Sequence, residues 1–267
     1  MIANYHTHTY RCGHASGEER EYIEKAIELG FKELGFSEHA PMPFPDDIPE
    51  DNHRRLLSMR MKTHETEGYV NSLLSLREEY KNDIKIHIGF EVEYFESIFN
   101  GFLEHIKPYP IDYFILGQHF GTPYNPEKMV HNGVQTGNEM LLVNYVDEIE
   151  KALSTGLFAY VAHPDLMFYR RSLEIYEREM TRLIKCANEH KIPLEFNLYG
   201  MQEVRNYPTF AFWQLASEIG CEVIIGSDAH KPENLLNPYA YKYATRFIEA
   251  NPNLKLIERL DIKRLEL

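Results

Sequence analysis

The stretch Ile2-Ala3-Asn4-Tyr5-His6-Thr7-His8-Thr9-Tyr10-Arg11-Cys12-Gly13-His14 joins a short apolar run to a cluster of histidines. The run at residues 2–6 predicts a β-strand, and alternate side chains of a strand point to the same face. We therefore expect His6 and His8 to point to one side, with His14 following in a glycine-containing loop. Because neutral imidazole is the commonest metal ligand, this stretch predicts a metal site at the end of the first strand.

Strand-like and helix-like segments alternate along the rest of the chain. Apolar runs that predict strands follow at 33–37, 84–90, 113–117, 158–162, 193–198 and 222–226. Between and after them, helical patterns end at Gly30 and cover 63–80, 96–106, 138–153, 174–190, 209–219 and 239–250. Such β–α units imply a parallel sheet covered by helices. The strand near the start lacks a glycine-rich nucleotide fingerprint, which favours a closed barrel over a doubly wound sheet. We predict one domain over residues 1–267, an α/β fold of the distorted seven-stranded (β/α)7, TIM-like barrel type.

Two long polar stretches interrupt this regular pattern, at 41–60 and 121–137. Loops of this length are usually functional.

The overall charge limits the kind of partner. The chain has 28 basic and 41 acidic residues, a net charge of −13 with histidines neutral, which disfavours a broad nucleic-acid surface. Three widely spaced cysteines, Cys12, Cys186 and Cys221, predict reduced thiols. The sequence shows no signal region and no apolar run of membrane-spanning length. We expect a cytoplasmic protein with a small-molecule partner, no nucleic acid and no membrane; the sequence carries no signal for an oligomeric state.

Histidines and carboxylates recur at the ends of the predicted strands. A structural or surface role explains any single one of these histidines, but it does not explain why they return to one end of the sheet. In parallel barrels that end carries the chemistry. A mixed set of imidazoles and carboxylates suits Zn²⁺, Mn²⁺ or Fe²⁺, and nine candidates suit two or three ions. The nine are His6, His8, His14, His39, Glu91, His119, His163, Asp228 and His230.

These residues stand in motifs that resemble those of the polymerase and histidinol phosphatase (PHP) family. The motifs, in chain order, are His6-Thr7-His8 with His14, Glu38-His39-Ala40-Pro41, Gly89-Phe90-Glu91, Gly117-Gln118-His119, Ala162-His163-Pro164 and Ser227-Asp228-Ala229-His230. The resemblance implies a distorted seven-stranded barrel with three divalent metal ions, Zn, Mn or Fe. It implies one ion on His6, His8, Glu91 and Asp228, a second on Glu91, His119 and His163, and a third on His14, His39 and His230.

Within that family the chain is similar to the histidinol-phosphate phosphatases. The supporting segments are the histidine-rich opening, Ser37-Glu38-His39-Ala40-Pro41, Arg60-Met61 and Leu116-Gly117-Gln118-His119. The resemblance implies a metal-dependent phosphomonoesterase that hydrolyses L-histidinol phosphate to L-histidinol and phosphate in histidine biosynthesis. The reaction would proceed by attack of a hydroxide that bridges metal ions. The implied catalytic residues are Glu91, Asp228 and His230.

Arginines in the loops after predicted strands are candidates for phosphate binding, because a guanidinium donates paired hydrogen bonds. We select Arg60, Arg171 and Arg205, with Arg170 a close alternative to Arg171. The alternative for each is a solvated surface charge.

Acidic residues near the same strand ends could contact the amine and imidazole of the substrate. Glu38, Glu93 and Asp165 are placed for this role, without a specific assignment.

Two other functions stay open at this stage. One is a phosphodiesterase or exonuclease of the same family acting on nucleotides, which the acidic charge disfavours. The other is a metal-binding module without catalysis, against which the complete ligand pattern counts.

Overall fold

The structure, a computed structural model, describes residues 1–42, 59–121 and 130–267. Its strands are β1 (Ala3–Asn4), β2 (Glu33–His39), β3 (Lys85–Val92), β4 (Tyr113–Leu116), β5 (Phe158–Val161), β6 (Leu194–Asn197), β7 (Cys221–Gly226) and β8 (Leu254–Leu256). Its helices are α1 (Glu19–Glu28), α2 (Thr66–Glu79), α3 (Glu96–Ile106), α4 (Glu139–Ser154), α5 (Leu173–His190), α6 (Leu198–Gln202), α7 (Phe210–Ile219) and α8 (Pro238–Ala250). Most of the loop predicted at 41–60, and half of the one at 121–137, lie outside the described residues.

The strands form one sheet in chain order, β1 to β8, and each neighbouring pair is parallel. This confirms the α/β class and the parallel sheet. The predicted number of seven strands is wrong, because β8 adds an eighth strand that pairs with β7 from Cys221 to Val223. Strand β8 is not evident from the sequence, because its three residues are too few for a periodic pattern.

The helices pack on the outside of the sheet through the apolar faces that their spacing predicts. On α5 the buried face includes Met180, Leu183, Ile184 and Ala187, which follow one another at helical intervals. None of the helices in the described ranges has both the length and the apolar character needed to cross a membrane.

A separate cluster fills the inside of the curled sheet below its carboxyl end. It contains Tyr5, Tyr113 and Tyr160, and the hydroxyl of Tyr113 donates to the backbone oxygen of Tyr5 at 2.7 Å. A Cβ atom at Gly35 or Gly89 would overlap the Tyr113 ring, so glycine on two adjacent strands makes room for it. The interior is thus a packed floor beneath the carboxyl end, and not a pore.

The first and seventh strands meet at the carboxyl end of the sheet. The backbone N–H of His8 donates to Ala229 O at 2.9 Å, and the N–H of Ala229 donates to His6 O at 3.2 Å. The fully buried Asn4 strengthens this junction, because its Oδ1 accepts from Ser227 N at 2.9 Å. Segments more than 200 residues apart in sequence are therefore held together where the histidines lie.

Candidate metal centre

The carboxyl end of the sheet brings together the nine predicted ligands. Each strand except β6 and β8 supplies at least one of them, either from its last residues or from the loop that follows. The first strand is followed by His6, His8 and His14, β2 ends in His39, β3 carries Glu91, β4 is followed by His119, β5 by His163, and β7 by Asp228 and His230. Of these residues His14 is the exposed member, whereas His6 and His8 are completely buried.

The buried carboxylate of Glu91 lies in the middle of this set, with imidazoles on both of its oxygens. Three imidazoles approach Oε1 and two approach Oε2. From Oε1 the distances are 3.4 Å to His6 Nε2, 3.4 Å to His119 Nε2 and 2.9 Å to His163 Nε2. From Oε2 they are 3.4 Å to His8 Nε2 and 3.0 Å to His39 Nδ1. A Cβ atom at Gly117 would overlap Oε1, so glycine at the end of β4 leaves the space for this carboxylate.

Asp228 forms a second focus beside Glu91. Its Oδ1 lies 3.4 Å from His6 Nε2, 3.3 Å from His8 Nε2 and 3.5 Å from His230 Nδ1. Asp228 has φ of 50° and His163 has φ of 29°, in the left-handed region that residues other than glycine rarely adopt. Backbone strain of this kind is characteristic of functional sites, where the surrounding structure holds it in place.

A third group of imidazoles lies towards the mouth of the site. His14 Nε2 is 3.0 Å from His230 Nε2, and the ring of His39 stacks on the rings of His8 and His14 with centroids 4.2 and 5.2 Å apart. His39 also contacts Glu91, so its position between the groups does not by itself assign it to the third ion. That assignment stays a prediction.

Two properties of these residues test whether they fit divalent ions: the distances between the candidate ligand atoms, and the hydrogen bonding of the buried polar atoms. Ligand atoms about 2.0–2.1 Å from one tetrahedral ion lie about 3.3 Å from one another. The contacts of His6 and His8 with Glu91 and Asp228 are 3.3–3.4 Å. Within the described residues, the buried atoms His6 Nε2 and His8 Nε2 have no hydrogen-bond partner. Buried polar atoms are nearly always satisfied, so the donor set fits metal ions.

The ionisation states of Glu91 and His8 suit metal binding. Nearby carboxylates outweigh burial and raise the pKa values of His6 and His119, so these two imidazoles must lose a proton when they bind a metal. Burial alone would raise the pKa of Glu91, but the imidazoles of His119, His6 and His39 hold the pKa well below its usual range. The carboxylate is therefore ionised. Burial, together with His230, lowers the pKa of His8 to about 3, so this imidazole is neutral near pH 7 and offers a lone pair.

Two buried carboxylates beside the ligands were not identified as ligand-supporting groups from the sequence. Glu195 on β6 lies 2.8 Å from His6 Nδ1. Glu93, just after β3, lies 3.4 Å from His119 Nδ1 and 2.6 Å from Arg60. A charged residue within an otherwise apolar strand, as in Leu194-Glu195-Phe196, was the available signal. Carboxylates in such positions orient ligating histidines.

A cavity of about 570 Å³ lies above the cluster and includes Asp228 and His230 in its wall. The predicted phosphate ligands Arg60 and Arg205 line it. The other predicted one, Arg171, lines a different cavity of about 600 Å³ beside the start of α5, together with Arg170. The sequence places Arg170 and Arg171 in one loop but does not determine the direction of either side chain. A phosphate-binding role for Arg171 therefore stays a prediction, and its position in a different cavity does not support it.

The remaining acidic candidates have structural contacts. Glu38 is fully buried and accepts hydrogen bonds from the backbone and the hydroxyl of Thr9, the latter at 2.6 Å. Asp165 is also buried and accepts from the backbone of Thr209. Of the three, Glu93 is the one that lines the cavity. His131, from the second long loop, lines it as well.

Comparison with known proteins identifies the family of the chain. The model of the PHP domain family matches residues 4–198. The histidinol-phosphatase of Bacillus subtilis is 27% identical over 267 residues, covering 89% of this chain and 96% of that protein. The probable histidinol-phosphatase of Deinococcus radiodurans is 26% identical over 236 residues, covering 86% and 87%.

Solved structures show the same fold. The putative histidinol phosphatase of Listeria monocytogenes superposes with a TM-score of 0.73 at 22% identity, over 90% of this chain and 99% of that one. The histidinol phosphate phosphatase of Lactococcus lactis, solved with zinc, L-histidinol and phosphate, gives a TM-score of 0.71 at 17% identity, over 99% of each chain.

Replacing the central carboxylate tests the metal centre. Because both oxygens of Glu91 face imidazoles, Glu91→Gln should remove most of the divalent metal that the protein retains after loading. Metal content per chain, measured by elemental analysis after loading and desalting, checks this. The matched control is Glu33→Gln, a buried carboxylate at the opposite end of the sheet that accepts from Tyr5 Oη at 2.9 Å. Wild-type metal content in the Glu91 variant would contradict the central role of this residue.

Proposed function

The chain belongs to the PHP domain family, and from this we propose that it is a metal-dependent phosphomonoesterase that hydrolyses L-histidinol phosphate to L-histidinol and phosphate. The observation that carries the proposal is the convergence of the nine candidate ligands beneath an open cavity, with five imidazoles around the Glu91 carboxylate. The names of the two sequence relatives support the choice of substrate. We take residues 1–267 as a single catalytic domain, acting in the cytoplasm in histidine biosynthesis.

We propose three divalent ions, Zn, Mn or Fe, held by the nine residues. His6, His8, Glu91 and Asp228 would hold the first, Glu91, His119 and His163 the second, and His14, His39 and His230 the third. The contacts of Glu91 Oε1 with His119 and His163 support the second set, and the 3.0 Å approach of His14 to His230 supports the third. When bound, such ions neutralise phosphate charge and lower the pKa of water towards neutrality.

The protein's own groups prepare the site for this reaction. Asp228 Oδ2 accepts from Asn197 Nδ2 at 3.2 Å, and the backbone oxygen of Asp228 accepts from His230 Nδ1 at 3.0 Å. These bonds fix the Asp228 carboxylate and direct His230 Nε2 towards His14. The complete burial of His6 and His8 keeps bulk water from the inner ligands, which strengthens the electrostatic interactions there.

Arg205 is the arginine best placed to bind the phosphate. It is exposed, lines the cavity, and lies over the ring of Tyr199 at 5.6 Å from the ring centroid. The guanidinium of Arg60 lies 2.6 Å from the buried carboxylate of Glu93, so part of its charge is already neutralised. We therefore assign phosphate recognition first to Arg205, and to Arg60 the additional role of holding Glu93 beside His119.

A phosphate-release assay tests the activity. Metal-loaded protein should release phosphate from L-histidinol phosphate faster than from other phosphomonoesters, and it should not degrade an oligonucleotide at a comparable rate. The net charge of −13 gives the second expectation its physical basis, since a polyanion is repelled. Preference for the oligonucleotide would replace the proposal with a nuclease, and failure on every phosphate ester would favour a non-catalytic metal-binding module.

Two arginine variants test phosphate recognition. Arg205→Ala should lower kcat/KM for L-histidinol phosphate by about 10- to 150-fold, the value of one charge-assisted hydrogen bond of about 1.5–3 kcal/mol. Arg171→Ala, from the neighbouring cavity, should lower it much less. Steady-state kinetics on both variants check this, with thermal unfolding to confirm that each is folded. A larger loss in the Arg171 variant would show that Arg171, as the sequence suggested, is the phosphate ligand.

A further inference from the structure

We propose that Glu195 is a positioning residue that sets the tautomer of His6 and the backbone position of His163 at once, and so couples two neighbouring metal positions. The inference rests on the metal centre proposed above, in which His6 and His163 are ligands of different ions. Glu195 contacts Nδ1 of His6, whereas Nε2 of the same ring faces Glu91 and Asp228, so Glu195 acts through the groups that it holds.

Glu195 is completely buried, and three hydrogen-bonding groups converge on its two oxygens. Oε1 lies 2.8 Å from His6 Nδ1. Oε2 accepts from the backbone N–H of His163 at 2.9 Å and from Asn197 Nδ2 at 2.8 Å. A buried carboxylate is costly unless it is paired in this way, so the arrangement indicates a specific role for the charge.

The first consequence concerns His6. An ionised carboxylate only accepts hydrogen bonds, so the contact at Oε1 keeps the imidazole proton on Nδ1. The lone pair is then on Nε2, the atom that lies 3.4 Å from both Glu91 Oε1 and Asp228 Oδ1. In the opposite tautomer Nε2 would carry a proton and could not bind a metal.

The second consequence concerns His163. Its φ of 29° is unusual for a residue with a side chain, so other contacts must hold it. The hydrogen bond from its N–H to Glu195 is one such contact. The same residue directs its Nε2 to within 2.9 Å of Glu91 Oε1. One carboxylate therefore supports two imidazoles that both approach Glu91 Oε1, one for each of the two proposed ions.

The neighbouring strand leaves space for this side chain. Asn197 on β6 pairs with Gly226 on β7, and a Cβ atom at Gly226 would overlap Glu195 Oε1. Glycine at the end of β7 thus permits the carboxylate to reach His6, as Gly117 at the end of β4 permits Glu91 to reach its histidines.

The variant Glu195→Gln tests the proposal because glutamine has nearly the same shape as glutamate but replaces one acceptor oxygen with an NH₂ donor. The two donors on the Oε2 side, His163 N and Asn197 Nδ2, select the amide oxygen there. The amide NH₂ then faces His6 Nδ1, which must accept, and the imidazole proton moves to Nε2. We expect the ¹⁵N NMR spectrum of the metal-free protein to show His6 protonated on Nδ1 in the wild type and on Nε2 in the variant. The spectrum is recorded at a pH high enough to leave His6 neutral, because the carboxylates of Asp228, Glu195 and Glu91 outweigh burial and raise its pKa.

The same variant should bind metal more weakly at two positions. Chelator competition on the metal-loaded protein should show two ions held about 10- to 100-fold less tightly than in the wild type. Glu179→Gln is the matched control, because Glu179 is a buried carboxylate on α5 that contacts Arg178 at 2.7 Å and lies outside the ligand cluster. It should change neither the His6 tautomer nor the metal affinity.

Each outcome bears on one part of the proposal. A neutral wild-type His6 protonated on Nε2 alone, or a variant with an unchanged tautomer, would overturn the role of Glu195 at His6. Weakening of a single ion would overturn the coupling. Because the tautomer is measured without metal, it tests Glu195 even if the wild type bound no ions, a result that would instead refute the proposed metal centre.

Discussion

The structure depends on the buried carboxylate of Glu91 and the five imidazoles that surround it. A carboxylate with about 3% of its surface exposed is costly unless opposite charges or strong donors compensate it. Here the compensation comes from histidines carried by the segments around β1, β2, β4 and β5. They can meet at one carboxylate only because the sheet curls, so that the ends of strands far apart in sequence face one another. The curl of the sheet therefore determines both the fold and the position of the site.

Much of this arrangement could be predicted from the sequence. The strand and helix patterns gave most elements to within a few residues, and α3 (Glu96–Ile106) at the expected bounds. Because the carboxyl ends of parallel strands lie at the same end of the sheet, residues that follow the predicted strands could be placed together at that end. His6 and Asp228, more than 200 residues apart, were expected at the same end of the sheet for this reason, and their side chains lie 3.4 Å apart.

Other features depended on information that local patterns do not contain. The strand β8 has three residues and no periodicity to detect. The direction of a loop side chain is set by packing, so Arg171 could not be separated from Arg205, although the two line different cavities. Glu195 lies within a strand that the apolar pattern identifies as buried, but its partners, His6 and the backbone of His163, become apparent only in three dimensions. Support for a site is therefore harder to predict than the site's ligands.

The most direct measurement is anomalous X-ray diffraction from crystals of the metal-loaded protein, recorded at the absorption edge of the bound element. Anomalous peaks are expected on both sides of the Glu91 carboxylate, each about 2.0–2.2 Å from one of its oxygens. One peak would lie among His6, His8 and Asp228, and the other beside His119 and His163. Full occupancy at a single position, with Glu91 bound to one ion or to none, would contradict the central claim that one carboxylate organises a multinuclear site.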